Sequence, residues 1–498
     1  MRRRIFCKVL RLNLSILTIL IFNTMSMNKY ILYIAFMCLL SSFLGCSTDD
    51  AIKAYEEEKN ILDKDSIELN VMANKWILRA MKLYYYWADD IPQDMESKYS
   101  ICPQEFYSIL LHRKDRFSWI STDKASNDEE IYGSSTNRGF ECVFFYADSA
   151  QFDLVAEVIY TSPGSQAETD GIKRGMFIKE INGERLNVSN YKELLAAEKA
   201  CYQFISVDDD IIETRYITVT REAIPQNPIL ASKMLQYKDH NIGYVCYRQF
   251  LNDNGDGSER YKNELVKLFA YFREQRASDI VLDLRYNTGG DINLSVLLGS
   301  MLVPEIGIKQ EALKIKYNEK LTNAYLSMGY ELSLNFMFNE EGYIGNMVNN
   351  IIILTGHNTA SASEDLINML LPYKKIVLIG TKTYGKNYGS QVIYSSNKDI
   401  KWVLQPITMK IFNSENLSDF DNGFLPAYEI DETSFLMKEF GTIDEPLMSK
   451  ALEIITNNNE GEVARNRTDK NIYKNNLKRW KYSINVDELY SLKNKFIY

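Results

Sequence analysis

Residues 280–291 read IVLDLRYNTGGD, an apolar run that stops at a charged pair and a Gly-Gly turn. That pattern predicts a buried strand ending in a loop. The two glycines let the main chain of that loop come close to another group. Three further runs have the same character, at 242–247, 351–354 and 376–379, and 261–275 between the first pair has helical periodicity. Near-continuous apolar strands separated by helices predict an α/β unit with a mostly parallel sheet covered on both faces. In such sheets ligand sites gather beyond the carboxyl ends of the strands.

Two more loops follow strands in the same way. Residues 359–370 read TASASEDLINML, so Ser361 opens a helix whose apolar positions are Leu366, Ile367, Met369 and Leu370. A hydroxyl there faces unpaired amides and the positive end of the helix dipole, which favour an alkoxide or an oxyanion. Ser361 with Glu364 three residues on also reads as a capping box, which would make the serine structural. Residues 380–387 read GTKTYGKN and put Lys386 in a loop after the next strand. If the two strands are neighbours, both loops leave the sheet at one edge. Alone, such a lysine is a solvated charge. As a neutral amine in an apolar pocket it is a base able to deprotonate a serine. Acyl transfer also needs backbone donors at the developing oxyanion. Gly289 or Gly290, with Ala362, are the candidates, whereas Asp283 and Arg285 read as holding each other or the loop.

The three loops together resemble the S41 serine peptidases, the carboxyl-terminal processing proteases. That family is described by Asp-Leu-Arg-x-Asn-x-Gly-Gly, Ser-Ala-Ser-Glu and Thr-x-Gly-Lys in this order. The resemblance implies Ser361 as nucleophile and Lys386 as base, 25 residues apart. It implies a crotonase-like core over 226–455, and no metal and no cofactor. Many members carry a Gln four residues after the Lys. Here that position is Ser390, and Gln391, one residue later, is the candidate for orienting the amine.

Ahead of the core, 136–225 contains β-like runs at 142–145, 154–160 and 216–220, broken by turn clusters that include Asn182-Gly183. Asn-Gly suits a tight hairpin. The stretch TSPGSQAETDGIKRGMFIKEINGERL and its surroundings resemble a PDZ domain, with Arg138, Gly139 and Phe140 at the carboxylate-binding loop. Such a domain adds an extended peptide to a sheet edge. Leu69, Met72, Trp76, Ala80, Leu83 and Trp87 lie at steps of three and four and predict a helix stopped by Asp89-Asp90-Ile91-Pro92. Residues 68–135 therefore read as a helical N-terminal domain, after a polar tether at 47–67. The whole is multidomain α+β: helical domain, PDZ-like β-rich domain and α/β peptidase core.

The amino terminus reads as targeting. Apolar runs at 10–22 and 30–44 are each shorter than the ~20 residues that cross a bilayer. The second follows Lys29 and ends in Leu44-Gly45-Cys46, which resembles a lipoprotein signal with Cys46 as the lipidated residue. Met27 is a candidate start. An exported protein, lipid-anchored in a bacterial cell envelope, is expected. The four other cysteines beyond the signal, Cys102, Cys142, Cys201 and Cys246, show no Cys-x-x-Cys and no zinc spacing; disulfides in an oxidising compartment stay open, with buried free thiols the simpler reading. A net charge of −9 argues against nucleic acid as partner. The tail 456–498 is expected as a basic helical surface, with nine Lys/Arg against three Asp/Glu from Arg465 on. Nothing in the sequence sets an oligomeric state.

The function expected is a serine endopeptidase with a Ser361–Lys386 dyad, acting on exported proteins or peptides whose C-terminal region the PDZ-like domain recognises. A Ser-His-Asp triad built on His357 lacks the Gly-x-Ser-x-Gly elbow. The alternative is a catalytically dead peptide-binding lipoprotein of the cell envelope, which the presence of both Ser361 and Lys386 opposes.

Overall fold

The computed structural model describes residues 48–122, 134–147, 150–208, 211–225 and 227–457. The signal segment with Cys46 and the tail beyond Asn457 lie outside the described residues. Among the described residues two compact units are seen, 48–75 with Met95–Phe106, and Trp76–Asp94 with 107–457.

Helix α1 (Thr48–Tyr84) begins far earlier than its apolar stripe suggests. The expected tether at 47–67 is thus helical from Thr48 on. Residues 49–66 contain no Gly or Pro and are rich in Ala, Glu and Lys, all strong helix formers. The helix stops at Tyr84, and Asp89-Asp90 sit in a separate 3-10 turn, Ala88–Asp90. Within the first unit, the Asn74 side-chain amide donates to the carbonyls of Tyr99 and Ile101, both at 2.8 Å. The boundary of the helical domain also differs from expectation. After helix α2 (Pro103–Leu110), residues 107–121 belong to the second unit and end in a strand, Trp119–Ser121, paired with Val403–Gln405. Ser118 fixes this segment, because its hydroxyl accepts the Ile407 amide at 2.8 Å.

In the second unit an antiparallel sheet has the order β1 (Phe140–Tyr146), β2 (Leu154–Thr161), β3 (Phe177–Ile181), β4 (Lys199–Asp208) and β5 (Ile211–Thr220). Strands β3 and β4 escaped the sequence reading, because Lys179, Glu180 and Gln203 interrupt their alternation. The Asn182-Gly183 step makes the expected tight turn between β3 and Glu184–Arg185, with both residues at positive φ (54° and 78°). Helix α3 (Tyr191–Ala196) lies against this sheet through Tyr191 and Leu194. Strand β2 is buried along both faces. Leu154, Ala156 and Val158 fill the sheet's own core, while Ile159 and Tyr160 join a cluster with Tyr244, Tyr286 and Ile352 of the following domain.

That domain is built on the sheet β6 (Ile229–Tyr237), β7 (His240–Tyr247), β8 (Asp279–Asp283), β9 (Asn350–Thr355), β10 (Ile376–Gly380) and β11 (Tyr428–Glu429). Only the β6–β7 pair is antiparallel. Side chains alternate between two apolar layers, as a doubly covered parallel sheet requires. Ile280, Leu282, Ile351 and Ile353 pack with helices α4 (Arg260–Glu274), α5 (Ile292–Leu302) and α6 (Ala362–Leu370). Val281, Ile352, Leu354 and Ile379 pack with α7 (Pro446–Asn457). Each such buried aliphatic side chain contributes about 1.5–3 kcal/mol from its removal from water.

A buried ion network joins the two domains of this unit. Arg285 Nε donates to Asp283 at 2.9 Å, and Nη1 reaches Glu432 at 2.6 Å and Glu445 at 2.8 Å. Arg174, from the loop before β3, donates to Glu432 and to the Tyr286 hydroxyl. Burial alone would raise the Glu432 carboxyl, but Arg174 and Arg285 outweigh it and hold the group at about 2. Glu432→Gln leaves two buried guanidiniums undercompensated and is expected to cost about 3–5 kcal/mol. A depressed carboxylate stabilises the fold above its unfolded pKa and stops doing so as pH falls through the folded value. Thermal melts should therefore show a constant Glu432→Gln deficit above about pH 5 that narrows towards pH 2.

Candidate active site

Strands β8, β9 and β10 are adjacent and parallel, with Asp283 opposite Leu354 and Thr355 opposite Gly380. The three loops of the sequence analysis therefore leave the sheet at one edge and one level. Ser361 is the turn residue between β9 and α6, at φ 56° and ψ −121°. This conformation is strained for a residue with a side chain, by about 1–3 kcal/mol. It persists because the neighbouring backbone is pinned. The Ala360 amide donates to the Asn287 carbonyl at 3.0 Å, the Ser363 hydroxyl to the same carbonyl at 3.2 Å, and the Thr359 hydroxyl to the Leu284 carbonyl at 2.8 Å. Ser363 thus acts as structure, and Ser361 is half-buried at the end of the sheet.

Glu364 was read only as part of a cap; the fold gives it a wider role. Its Oε2 accepts the backbone amides of Ser361 at 3.1 Å and Lys386 at 2.7 Å. Its Oε1 accepts the Gly385 amide at 2.7 Å and the Thr383 hydroxyl at 2.6 Å. One oxygen atom therefore holds the backbones of Ser361 and Lys386 together. Burial raises the Glu364 carboxyl, and these four hydrogen bonds oppose the rise. Asp365 beside it is fully buried. Its carboxyl is pushed well above the usual range by burial and then by Glu364, while the Lys386 charge works in the opposite sense. The Lys386 amine lies 5.7 Å from the centre of the Phe117 ring. Arg116 donates to the Gly385 and Asp421 carbonyls at 2.8 and 2.9 Å and braces the same loop. Arg116 stands 269 residues before Gly385, and no local pattern could have linked them.

The Gly-Gly loop closes against the serine. A Cβ on Gly289 would stand 2.7 Å from the Ser361 Cβ and 3.1 Å from the Ala362 nitrogen, so only glycine fits there. The Gly289 amide donates to Asn287 Oδ1 at 2.9 Å. Asn287 in turn donates to the Tyr247 carbonyl at 2.9 Å, which fixes the amide's orientation. Asp283 and Arg285 pair with each other, as expected.

The remaining candidates fall as follows. Ser390, four residues after Lys386, accepts a hydrogen bond from Gln405 Nε2 at 2.9 Å. Gln391 is half-buried, and its amide donates to the Pro406 carbonyl at 3.4 Å. His357 is exposed in the loop before Ser361. At the start of β1, the Gly139 amide donates to Asn137 Oδ1 at 2.7 Å, Arg138 donates to the Leu195 carbonyl at 2.7 Å, and Phe140 is buried. Cys102, Cys142, Cys201 and Cys246 are all free thiols.

Two outcomes follow from this geometry. Ser361→Gly removes the strain at positive φ and should raise stability by about 1 kcal/mol, read as a higher denaturant midpoint with an unchanged slope. Glu364→Gln puts an NH2 where only acceptors fit. It should lower kcat about a hundredfold through displaced loops, and a variant with unchanged kcat would contradict this role.

Comparison with known proteins agrees with this layout. The model of peptidase family S41 matches residues 241–430, and that of the peptidase S41 N-terminal domain matches 72–119. A carboxyl-terminal-processing protease of Picosynechococcus sp. is 27% identical over 237 residues, 47% of this chain and 51% of that protein. The carboxy-terminal processing protease CtpA of Bacillus subtilis is 23% identical over 244 residues, 46% of this chain and 44% of that protein. The chain spans about half the length of the curated relatives it matches. Among solved structures, a Bacteroides fragilis protein described as an S41 protease superposes with a TM-score of 0.66 and 26% identity. That match covers 76% of this chain and 97% of the other. The three loops, the sheet that carries them and both family models point one way: residues 241–430 form a peptidase family S41 domain, with a peptidase S41 N-terminal domain at 72–119.

Proposed function

We propose that this chain is a serine endopeptidase in which Ser361 attacks the scissile carbonyl and Lys386 takes its proton. The observation that carries the reading is the shared Glu364 oxygen, which holds the backbones of Ser361 and Lys386 side by side. The neutral Lys386 amine accepts the Ser361 hydroxyl proton as Oγ bonds to the carbonyl carbon. The oxyanion is received by the amides of Gly290 and Ala362, since the Gly289 amide is already used by Asn287. The C–N bond then breaks, and the leaving amine takes the proton from Lys386. Water hydrolyses the acyl ester with the same amine as base.

The sheet β1–β5 acts in this reading as a PDZ-like peptide-binding domain. Strand β1 is an edge that pairs with β2 alone, and an extended substrate can add to it. A terminal carboxylate arriving at Arg138, Gly139 and Phe140 replaces Asn137 Oδ1 on the Gly139 amide. The substrates are exported proteins or peptides, and anchoring through Cys46 would hold the enzyme in a bacterial cell envelope. The relatives are carboxyl-terminal processing proteases, which supports cleavage near substrate C-termini.

Cleavage of an unstructured peptide tests this. Ser361→Ala and Lys386→Ala should each lower kcat/KM by at least about 10³-fold. Wild-type kcat/KM should rise with pH to a plateau, because a lysine accepts a proton only as the free amine. Lys386→Ala with full turnover would end the dyad mechanism. Equal inactivity of wild type and Ser361→Ala, with peptide binding retained, would favour a peptide-binding lipoprotein.

A further inference from the structure

A cavity of about 330 Å³ opens between the edge strand β1 and the catalytic loops. Its size is at the lower end of ligand pockets, about 300–1,000 Å³. Five separate stretches of chain build it, 141–144, 159–160, 248–249, 286–288 and Asn358. Strand β1 contributes Glu141 and Val143, the end of β7 contributes Arg248, and the catalytic loops contribute Thr288 and Asn358. Thr288 precedes Gly289, which touches Ser361, and Asn358 lies three residues before the nucleophile. The cavity thus lies between the edge strand β1 and the two loops that carry Gly289 and Ser361.

Aromatic and aliphatic faces of Tyr160, Tyr286 and Val143 line the cavity, with one carboxylate and one guanidinium at its wall. Arg248 reaches the Tyr160 hydroxyl at 3.3 Å and Gln249 Oε1 at 3.4 Å. Solvent reaches Glu141, yet the protein crowding it raises its carboxyl, and Arg138, Arg248 and Arg221 pull against that rise. A charged side chain entering here gives up water and meets a like charge as well as an opposite one. A bulky neutral side chain gains the apolar faces and gives up little.

We propose that this cavity is a substrate side-chain pocket next to the scissile bond, selective for bulky uncharged residues because Glu141 and Arg248 balance each other's charge. The proposal rests on the peptidase reading of Ser361 and names the side-chain class that site takes. Neither residue performs chemistry; each sets what the pocket admits. One comes from the peptide-binding sheet and the other from the catalytic domain, so selection depends on both domains together.

Positional-scanning peptides with free C-termini, cleaved by the full chain and mapped by mass spectrometry, test it. One position next to the cut should favour Phe, Leu, Met and Tyr over Asp, Glu, Lys and Arg by about tenfold or more in kcat/KM. Glu141→Gln should raise acidic residues at that position about fivefold and lower basic ones, and Arg248→Gln should do the reverse. A merely structural role would slow every peptide alike, and that outcome, or unchanged profiles in both variants, overturns the proposal. The same peptides are titrated against Ser361→Ala by fluorescence anisotropy. If the wild type cleaves nothing, the dyad reading fails. The pocket proposal then stands or falls on whether the two charge variants shift binding in opposite directions.

Discussion

The Glu364 carboxylate is the contact on which the site depends. It lies in the first turn of α6, where the helix dipole favours a negative charge, and it reaches across to the next loop. Four donors converge on it, from Ser361, Thr383, Gly385 and Lys386. Without it, the Ser361 amide would lose its side-chain acceptor, and the lysine loop would keep Arg116 as a brace but lose its direct tie to the serine turn. Burying a carboxylate is costly unless it is hydrogen-bonded. The four bonds offset that cost and convert the carboxylate into a clamp between two loops that the sequence separates by a whole strand.

Around this clamp the molecule is built in tiers. The parallel sheet sets the level at which the loops emerge, through the registers of Asp283 with Leu354 and Thr355 with Gly380. The Gly-Gly loop fills the space in front of Ser361, with a contact that admits no Cβ at Gly289. Behind it, Arg285 ties the loop to Glu432 and Glu445, and Arg174 brings the neighbouring β-sheet into the same network. Tyr286 is both a member of that network and a wall of the cavity lined by Thr288 and Asn358. The geometry of the Gly-Gly loop is thus physically continuous with the position of the sheet β1–β5.

Much of this was legible in the residues. The apolar runs at 280–284 and 351–354 are buried on both faces, as are Leu378 and Ile379 of the third run, and a strand of that kind has few alternatives to a covered parallel sheet. Asn182-Gly183 announced its hairpin because few other residue pairs take two positive φ angles cheaply. Other features were hidden. The tether is helical because local propensity acts without any apolar stripe to reveal it. Strands β3 and β4 are masked by polar residues within them. Glu364 looked like an ordinary cap, since nothing in a local pattern shows that a carboxylate also reaches a loop about 20 residues on. The bracing of the lysine loop by Arg116 and Phe117 is a contact across more than half the chain, and the cavity beside Thr288 is made by segments more than 200 residues apart. Such features belong to tertiary structure alone.

In the proposed function, Ser361 is the nucleophile and Lys386 its base. Reaction of the intact chain with a fluorophosphonate, followed by peptide mapping, reads this directly. One adduct per chain on Ser361, formed rapidly in the wild type and far more slowly in Lys386→Ala, is the expected result. Labelling on another serine, or equal rates with and without the lysine, would contradict it.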